Sequence, residues 1–439
     1  MNTNMEPGTR NPERAPTLRR AAVLAVGSEM LTPLRIDTNS LFITEQLNAI
    51  GIDVVFKGVV GDDRAELATA VRTALDRVDL LVLSGGLGPT DDDLTREVVA
   101  DVLGRPLREQ DAITERIRQR FASRGWTMPE INRRQAMVPA GADVLENPNG
   151  TAPGLWIEHE DRMVLLLPGP PRELKPMLRA AVARLSDRRG QTTLLRRVVR
   201  ITGRTESHAD EALQPLYAEW NHAPVPIAAT ILAALGQIEL HLSASSDSAE
   251  RVERALDAAV TQVEQVLGVD AYSLDGRPLE QVVGDLLVAR GWRIGVAESC
   301  TGGLITSRLT DVPGSSRYVD RSVVSYSNEA KVAMLHVSAA LISEHGAVSE
   351  PVAEAMAEGI RTVAGVEVGI GVTGIAGPGG GTAEKPVGMV CVAAVTPEAR
   401  RVRTAKFLGE REQIKFQASQ AALDMVRRMM GPSNPKTQG

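Results

Sequence analysis

Two stretches of this 439-residue chain carry side chains that could do chemistry. In the C-terminal third, the run WRIGVA leads into Glu298-Ser299-Cys300-Thr301-Gly302-Gly303. A small nucleophile at a strand-to-helix turn lies near amide donors that could stabilise an oxyanion. The plainer alternative is that Ser299 and Thr301 cap the helix that follows. A serine needs a base. The six histidines, at positions 159, 208, 222, 241, 336 and 345, show no metal-ligand spacing and no strand-end motif. A Ser-His-Asp triad therefore has no visible support, and His336 and His345 read as surface or core residues. Lysine is the remaining candidate. Tyr326-Ser327-Asn328-Glu329-Ala330-Lys331 reads as a strand end, a cap at Ser327 or Asn328, and a lysine in the first helical turn. A helix N-terminus and burial both lower a lysine pKa, as a general base requires. The Tyr326 hydroxyl could relay or orient the proton. The ordinary reading is a solvated Lys331 paired with Glu329 or Glu344. Cys300 has no nearby histidine motif and reads as a small packed residue.

A third C-terminal loop, Thr373-Gly374-Ile375-Ala376-Gly377-Pro378-Gly379-Gly380-Gly381, suits an anion but lacks the Lys-Ser/Thr ending of a P-loop. Arg411 is either an anion clamp or a surface arginine. In the N-terminal third, VDLLVLS runs into Gly85-Gly86-Leu87-Gly88-Pro89-Thr90-Asp91-Asp92-Asp93-Leu94-Thr95. Glycines let the backbone approach a phosphate, and the next helix adds amide donors and a positive dipole. Asp92 and Asp93 have two readings: helix N-capping, or carboxylates holding a divalent metal beside a phosphate. Gly27-Ser28-Glu29, Asp37-Thr38-Asn39-Ser40 and Pro168-Gly169-Pro170-Pro171-Arg172-Glu173 fall at other strand ends and helix starts. Together they outline a nucleotide-sized site.

These loops need a scaffold, and the sequence supplies one. From 18 to 185, the apolar runs AAVLAV (21–26), IDVVFKGVV (52–60), VDLLVLS (78–84) and RMVLLLP (162–168) alternate with helical periodicity over 40–50, 64–77 and 94–103. Continuous apolar strands separated by helices predict a doubly wound, mostly parallel sheet, with ligands at the strands' carboxyl ends. Residues 190–275 read as a small α+β module: strands RRVVRITG and QIELHLSAS, helices over 206–220 and 248–267, and a turn at NHAPVP. From 278 to 430 the βα alternation resumes as a C-terminal α/β domain. Residues 1–17 read as a flexible tail. At roughly 150 residues per domain, the length fits three domains.

Composition excludes several classes. Lys plus Arg is 49 and Asp plus Glu is 55, a net charge of −6. A dedicated nucleic-acid binder would be strongly basic, so nucleic acid is not an expected partner. Apolar residues make up 43% of the chain and aromatics 3%, so the cores must be built from Ala, Val, Leu and Ile. No run approaches the roughly 18 apolar residues of a membrane helix, and no membrane partner is expected. Two cysteines, Cys300 and Cys391, make no disulfide framework; a reducing cytoplasm is the expected location.

AVGSEML, DTNS, GGLGPTDDDLT and LPGPPREL together resemble the molybdopterin-binding-like domain of the CinA family, over about residues 18–185. One position departs: Pro33 stands where the family usually has glycine, so this loop is expected to be stiffer. The resemblance implies a metal-dependent ADP-ribose pyrophosphatase, with Glu29, Asn39, Gly85, Gly86, Gly88, Pro89 and Thr90 binding the nucleotide and Asp92 and Asp93 the divalent metal. A pterin- or nucleotide-binding module without catalysis is the related alternative. AESCTGG, VSYSNEAK, HGAVSEPV, VTGIAGPGGG, EKPVGMV and FLGER resemble the family's C-terminal nicotinamide mononucleotide deamidase domain, over about 278–430. That implies a cofactor-free serine amidohydrolase: Ser299 nucleophile, Lys331 base, Tyr326 the assisting hydroxyl, with Asn328, Thr373, Gly374 and Arg411 positioning the substrate. The middle segment is similar to the family's KH-type module. KH folds grip nucleic acid through a GXXG loop, yet Gly203, Gly236 and Gly268 are too far apart to form one. The family also implies a homodimer. Its competence-related name supplies the rival reading, a DNA-associated factor, whose mark would be salt-dependent DNA affinity.

Overall fold

The structure, a computed structural model, describes residues 18–188, 193–234 and 236–431. The expected tail at 1–17 lies outside the described residues. The chain divides into two compact units, one running to Leu195 and including Ala244–Arg254, the other made of Arg196–Ser243 and the chain from Ala255 onward.

The N-terminal segment runs β1 (Arg20–Val26), α1 (Asn39–Ala49), β2 (Asp53–Val60), α2 (Arg64–Leu75), β3 (Leu80–Ser84), α3 (Thr95–Val102), β4 (Leu107–Glu109), α4 (Asp111–Ala122), β5 (Met137–Pro139), β6 (Asp143–Leu145), β7 (Gly154–His159), β8 (Arg162–Leu167) and α5 (Pro171–Ser186). Its main sheet has the order β2-β1-β3-β8-β7-β6. Strands β2, β1, β3 and β8 are parallel; β7 and β6 continue the sheet antiparallel. Alternation within a buried strand explains the two faces. Ala22 and Leu24 of β1, with Leu81 and Leu83 of β3, pack into one apolar cluster with Leu67 and Val71 of α2. Ala21, Val23, Leu80 and Val82 point the other way, into a cluster with Ile43 of α1 and Leu174 of α5. The four long apolar runs become strands as expected. The three-residue strands β4, β5 and β6 are too short to show a period.

Next come β9 (Thr193–Ile201), α6 (Glu206–Asn221), β10 (Ile227–Ala234), β11 (Gln237–Ser246), α7 (Ala249–Leu267) and β12 (Ala271–Ser273), in the sheet order β10-β11-β9-β12. The last part comprises α8 (Leu279–Arg290), β13 (Ile294–Glu298), α9 (Leu304–Thr310), β14 (Val319–Val324), α10 (Asn328–Leu335), α11 (Ala339–His345), α12 (Glu350–Ala364), β15 (Val368–Gly374), β16 (Met389–Val395), β17 (Arg400–Lys406) and α13 (Arg411–Met430). Its sheet order is β14-β13-β15-β16-β17, parallel across β14, β13 and β15 and antiparallel beyond. Helices α8, α9 and α13 share one apolar cluster with this sheet; α12 packs on the other face. Strand β15 (VGIGVTG) owes its close packing to missing side chains. A Cβ at Gly369 or Gly371 would come within 2.1 Å of the carbonyl oxygen of Ala357 or Ala353 in α12. The fold is α/β. Among the described residues, no helix is long and apolar enough to cross a membrane.

Candidate functional site

Three strand ends converge in the C-terminal sheet. Strand β13 delivers Ser299, β14 leads through Ser325 and Tyr326 to Lys331 in α10, and β15 ends at Thr373 and Gly374. The turn after β13 is built by Glu298, which is fully buried. Its carboxylate accepts hydrogen bonds from the amides of Gly303 (2.9 Å), Ile305 (3.2 Å) and Thr306 (3.0 Å) and from the Thr306 hydroxyl (2.8 Å). A carboxylate at a helix N-terminus satisfies orphan donors and complements the dipole. The helix therefore starts at a fixed place, and Ser299 with it. The Ser299 amide donates to the Val372 carbonyl at 3.0 Å. The amides of Cys300 and Thr301 have no acceptor among the described residues, so they are the donors this turn leaves available.

Lys331 is 1% exposed. Its Nζ lies 3.3 Å from Ser299 Oγ, 2.8 Å from the Ser325 carbonyl oxygen and 3.5 Å from that of Tyr326. The solvated lysine paired with Glu329 or Glu344 is not what forms: among the described residues, no carboxylate pairs with it. Burial pushes its ammonium below the ordinary lysine range. Ser327 caps α10 by accepting from the Ala330 amide at 3.1 Å, which sets the lysine one turn into the helix. Burial acts the opposite way on the neighbouring cysteine: the Cys300 thiol is pushed up to about 12 and packs in the apolar cluster of this sheet.

A cavity of about 180 Å³ brings together all seven residues expected here: Ser299, Tyr326, Asn328, Lys331, Thr373, Gly374 and Arg411. Arg411 opens α13, donating to the Gly377 carbonyl (2.7 Å) and the Tyr326 hydroxyl (3.1 Å). The Thr373 hydroxyl donates to Ala347 O at 2.8 Å, holding the loop that carries Ala347 and Val348 into the lining. Towards the cavity, Thr373 is left as an acceptor. Glu298 was missed by sequence reasoning. Its signal was a charge ending an apolar strand, one residue before the serine.

In the N-terminal sheet, a cavity of about 370 Å³ sits at the carboxyl ends of β1, β3 and β8, lined by Glu29, Gly85, Gly86, Gly88, Asp92 and Asp93 among others. Asn39, Pro89 and Thr90 are outside the lining. Asn39 instead braces two strand ends, its Nδ2 donating to Ser84 Oγ (3.0 Å) and Gly169 O (2.7 Å). Thr90 donates its amide (2.9 Å) and hydroxyl (2.5 Å) to Asp93 Oδ2. Gly85 has φ +111°, and a Cβ there would stand 2.1 Å from Val26 O. The amides of Gly86, Leu87 and Gly88 have no acceptor among the described residues, a concave donor set suited to phosphate. Arg134 clamps the loop from a distance, donating to Thr90 O and Asp91 Oδ1, both at 2.9 Å; nothing in the local sequence pointed to it. Glu173, from the expected strand-end loop at 168–173, also lines the cavity, and Asp62 joins it unannounced.

The carboxylates here are hard oxygen donors of the kind divalent cations take. No three acidic, His or Cys side chains converge among the described residues, and one oxygen of Asp93 is held by Thr90. The set therefore fits a cation that arrives with substrate phosphates, the usual habit of Mg²⁺, rather than one caged by protein alone.

Family models match three segments: "CinA C-terminal domain" over 276–430, "Probable molybdopterin binding domain" over 22–187 and "Damage-inducible protein CinA KH domain" over 196–273. A CinA-like protein of Koribacter versatilis (strain Ellin345) is 46% identical over 415 residues, covering 93% of this chain and 99% of that protein. A CinA-like protein of Acidobacterium capsulatum is 46% identical over 416 residues, with the same two coverages. A solved structure of the protein CinA from Thermoplasma acidophilum is 36% identical, covers 38% of this chain and 98% of that one, and gives a TM-score of 0.36. With near full-length relatives at this identity, the chain belongs to the CinA family.

Proposed function

We propose that the C-terminal site hydrolyses the carboxamide of nicotinamide mononucleotide to nicotinic acid mononucleotide and ammonia. The observation that carries this reading is the environment of Lys331: buried, without a carboxylate, and 3.3 Å from Ser299 Oγ. A neutral amine has two N–H donors and one lone pair. The carbonyls of Ser325 and Tyr326 take the two donors, which leaves the lone pair for the Ser299 proton. Ser299 Oγ attacks the amide carbon as Lys331 takes that proton. The carbonyl oxygen gains negative charge and meets the free amides of Cys300 and Thr301. Lys331 then returns its proton to the amide nitrogen, the C–N bond breaks and ammonia leaves. Water, deprotonated by the same lysine, cleaves the nicotinoyl ester and restores Ser299. Typical ligand pockets run from about 300 Å³, so the 180 Å³ cavity suits the reacting ring and carboxamide. In this reading Arg411 and Asn328, both in the cavity lining, would meet the ribose phosphate.

Ammonia release from nicotinamide mononucleotide, measured on the intact protein and on Ser299→Ala, Lys331→Ala and Cys300→Ala, tests this. The first two substitutions should abolish release and the third should retain it. A dead Cys300→Ala with a live Ser299→Ala would overturn the assignment, and a silent parent protein would end the deamidase reading.

For the N-terminal site we propose hydrolysis of the ADP-ribose pyrophosphate, with the diphosphate on the amides of Gly86, Leu87 and Gly88. Asp92 and Asp93 would hold a divalent cation, which when bound supplies Lewis-acid polarisation of a phosphate oxygen. The absence of three converging carboxylates among the described residues favours, as the second reading, a nucleotide-binding module without catalysis. Metal-dependent AMP release from ADP-ribose, lost in Asp92→Ala, would support catalysis. Binding without release supports the module.

A further inference from the structure

One cavity belongs to neither site. It measures about 1250 Å³ and opens between β17, α13, the start of α6 and the end of β10 with the start of β11. We propose that this cleft binds a phosphorylated anion of nucleotide size.

Its charges are unbalanced in one direction. Strand β17 is the edge of its sheet, and Arg401 and Arg403 lie two residues apart on the face that lines the cleft. Same-face neighbours on a strand are about 6.6 Å apart, a span that lets two guanidinium groups close on one anionic group. Among the described residues, neither forms an ion pair. The other arginines of the lining are all engaged: Arg400 by Glu354 and Glu358, Arg204 by Asp270, and Arg428 by Asp270 and Asp424. Asp424 is thereby neutralised, leaving Glu206 as the single unpaired carboxylate against two free guanidinium groups.

Gln420 lies in the cavity wall and is 2% exposed. Its Oε1 accepts from Arg308 Nη2 at 2.7 Å, which fixes that stretch of α13 as a firm side of the cleft. The start of α6 adds N-terminal amides and the positive end of a helix dipole. Apolar side chains, Phe407, Met425 and Ile238, line the same cleft and give a purine or pyridine ring a surface. Donors for phosphate beside an apolar wall is the make-up of a nucleotide pocket. Pairing of β17 with the same strand of a second copy is disfavoured, because antiparallel pairing of an arginine-rich edge sets like charges opposite one another.

Hydrogen exchange of the full-length protein locates the site, with ADP as probe and adenosine as control. ADP should slow exchange in 202–208 and 400–406, and adenosine should do so far less. In Arg401→Glu/Arg403→Glu the affinity read from this protection should fall about tenfold or more for each lost charged contact. Exchange in β13 and β15, and ammonia release from nicotinamide mononucleotide, should be unchanged. If the charge reversals fail to fold, Arg401→Gln/Arg403→Gln gives the same reading. The proposal is overturned if ADP leaves both segments unprotected, or if the double variant is protected as well as the parent. Protection that depends on protein concentration and not on ADP also overturns it, and assigns the cleft to a second copy of the chain.

Discussion

Replacing Lys331 by methionine should abolish amide hydrolysis and, near neutral pH, make the protein more stable. Methionine nearly matches lysine in length and volume, so little repacking is needed. Lysine is held in the interior, 1% exposed, with no carboxylate among the described residues to offset it. Moving an ammonium out of water costs several kcal/mol after relaxation, or else the group gives up its proton at a comparable penalty. Against that stand hydrogen bonds to Ser299, Ser325 and Tyr326, the longest of them weak, each contributing about 1 kcal/mol. The difference leaves methionine ahead by about 1–3 kcal/mol, and each kcal/mol corresponds to about 2–4 °C in midpoint for a domain of this size.

The sign of the pH dependence follows from the direction of the shift. Burial lowers the folded-state pKa of Lys331, while in the unfolded chain it titrates near ~10.4. Between those two values the unfolded chain binds more protons, so stability of the parent protein rises with pH across that window. The rise is about 1.4 kcal/mol for each unit of depression. Methionine has nothing to titrate, so its advantage is full below the window and shrinks as pH climbs through it. Urea denaturation of both proteins near neutral pH and near pH ~10 reads this directly. A methionine variant less stable than the parent at neutral pH, or a difference with no pH slope, would refute the reasoning. The same lowered pKa sets the rate profile: hydrolysis should rise with pH as Lys331 loses its proton, because only the neutral amine accepts one from Ser299.

Other consequences are open to simple measurements. Glu298→Gln puts an N–H₂ group among donors the carboxylate now satisfies, so turnover should fall about a hundredfold or more and unfolding should come about 2–3 kcal/mol earlier, read by steady-state kinetics and denaturation. Arg411→Ala should raise KM for nicotinamide mononucleotide about tenfold or more while changing kcat less, since the guanidinium lines the cavity and donates to Gly377 O and Tyr326 Oη rather than to the serine. Iodoacetamide at pH ~8 should leave the proposed ammonia release intact, because a thiol titrating near 12 is only about one part in 10⁴ thiolate there. Asp93→Ala frees the Thr90 amide and hydroxyl and should weaken ADP-ribose binding, checked by calorimetry.

Legibility in the sequence followed the range of the interaction. The apolar runs of β1, β3, β8, β13 and β15 announce themselves, because strands covered on both faces contain little else. Strand β17, Arg-Arg-Val-Arg-Thr-Ala-Lys, is largely exposed and carries no apolar alternation to detect. The turn at Ser299 and the cap at Ser327 are local and were readable. Burial of Lys331 was not, since a lysine early in a helix looks like any solvated cation until Ser299 and the Ser325 and Tyr326 carbonyls close around it. Asp93 was weighed as a cap or a metal ligand. Its carboxylate in fact turns back onto Thr90, three residues earlier, through one of its oxygens. Arg134 reaches Asp91 from 43 residues away, a contact no local pattern encodes. The seven expected residues that share the lining of the C-terminal cavity are legible as a group because each sits at a strand end or the first turn of a helix.

In the proposed reaction, the preference for serine over the adjacent cysteine follows from where one turn places two neighbours. In solution the thiol would be the better nucleophile, and sequence position gives it equal access to the turn. The fold separates them. Ser299 is fixed through its amide to Val372, with its hydroxyl facing the lysine nitrogen. Cys300, one residue on, packs its sulfur among the apolar side chains shared by α8, α9 and α13. There the thiolate is disfavoured by loss of solvation, and Glu298 adds like charge from the side. Lys331, the cation whose charge bears on the thiol, is itself driven toward the neutral state and so offers little to stabilise a thiolate. A neutral lysine suits serine for the same reason: it is a base strong enough to take a hydroxyl proton, and it needs no counter-ion to be kept in a dry site. Removing Glu298 would loosen the turn that keeps these two side chains apart, so Glu298→Gln should also increase alkylation of Cys300. An unchanged rate of alkylation in that variant would show that the cysteine is held by its apolar neighbours alone.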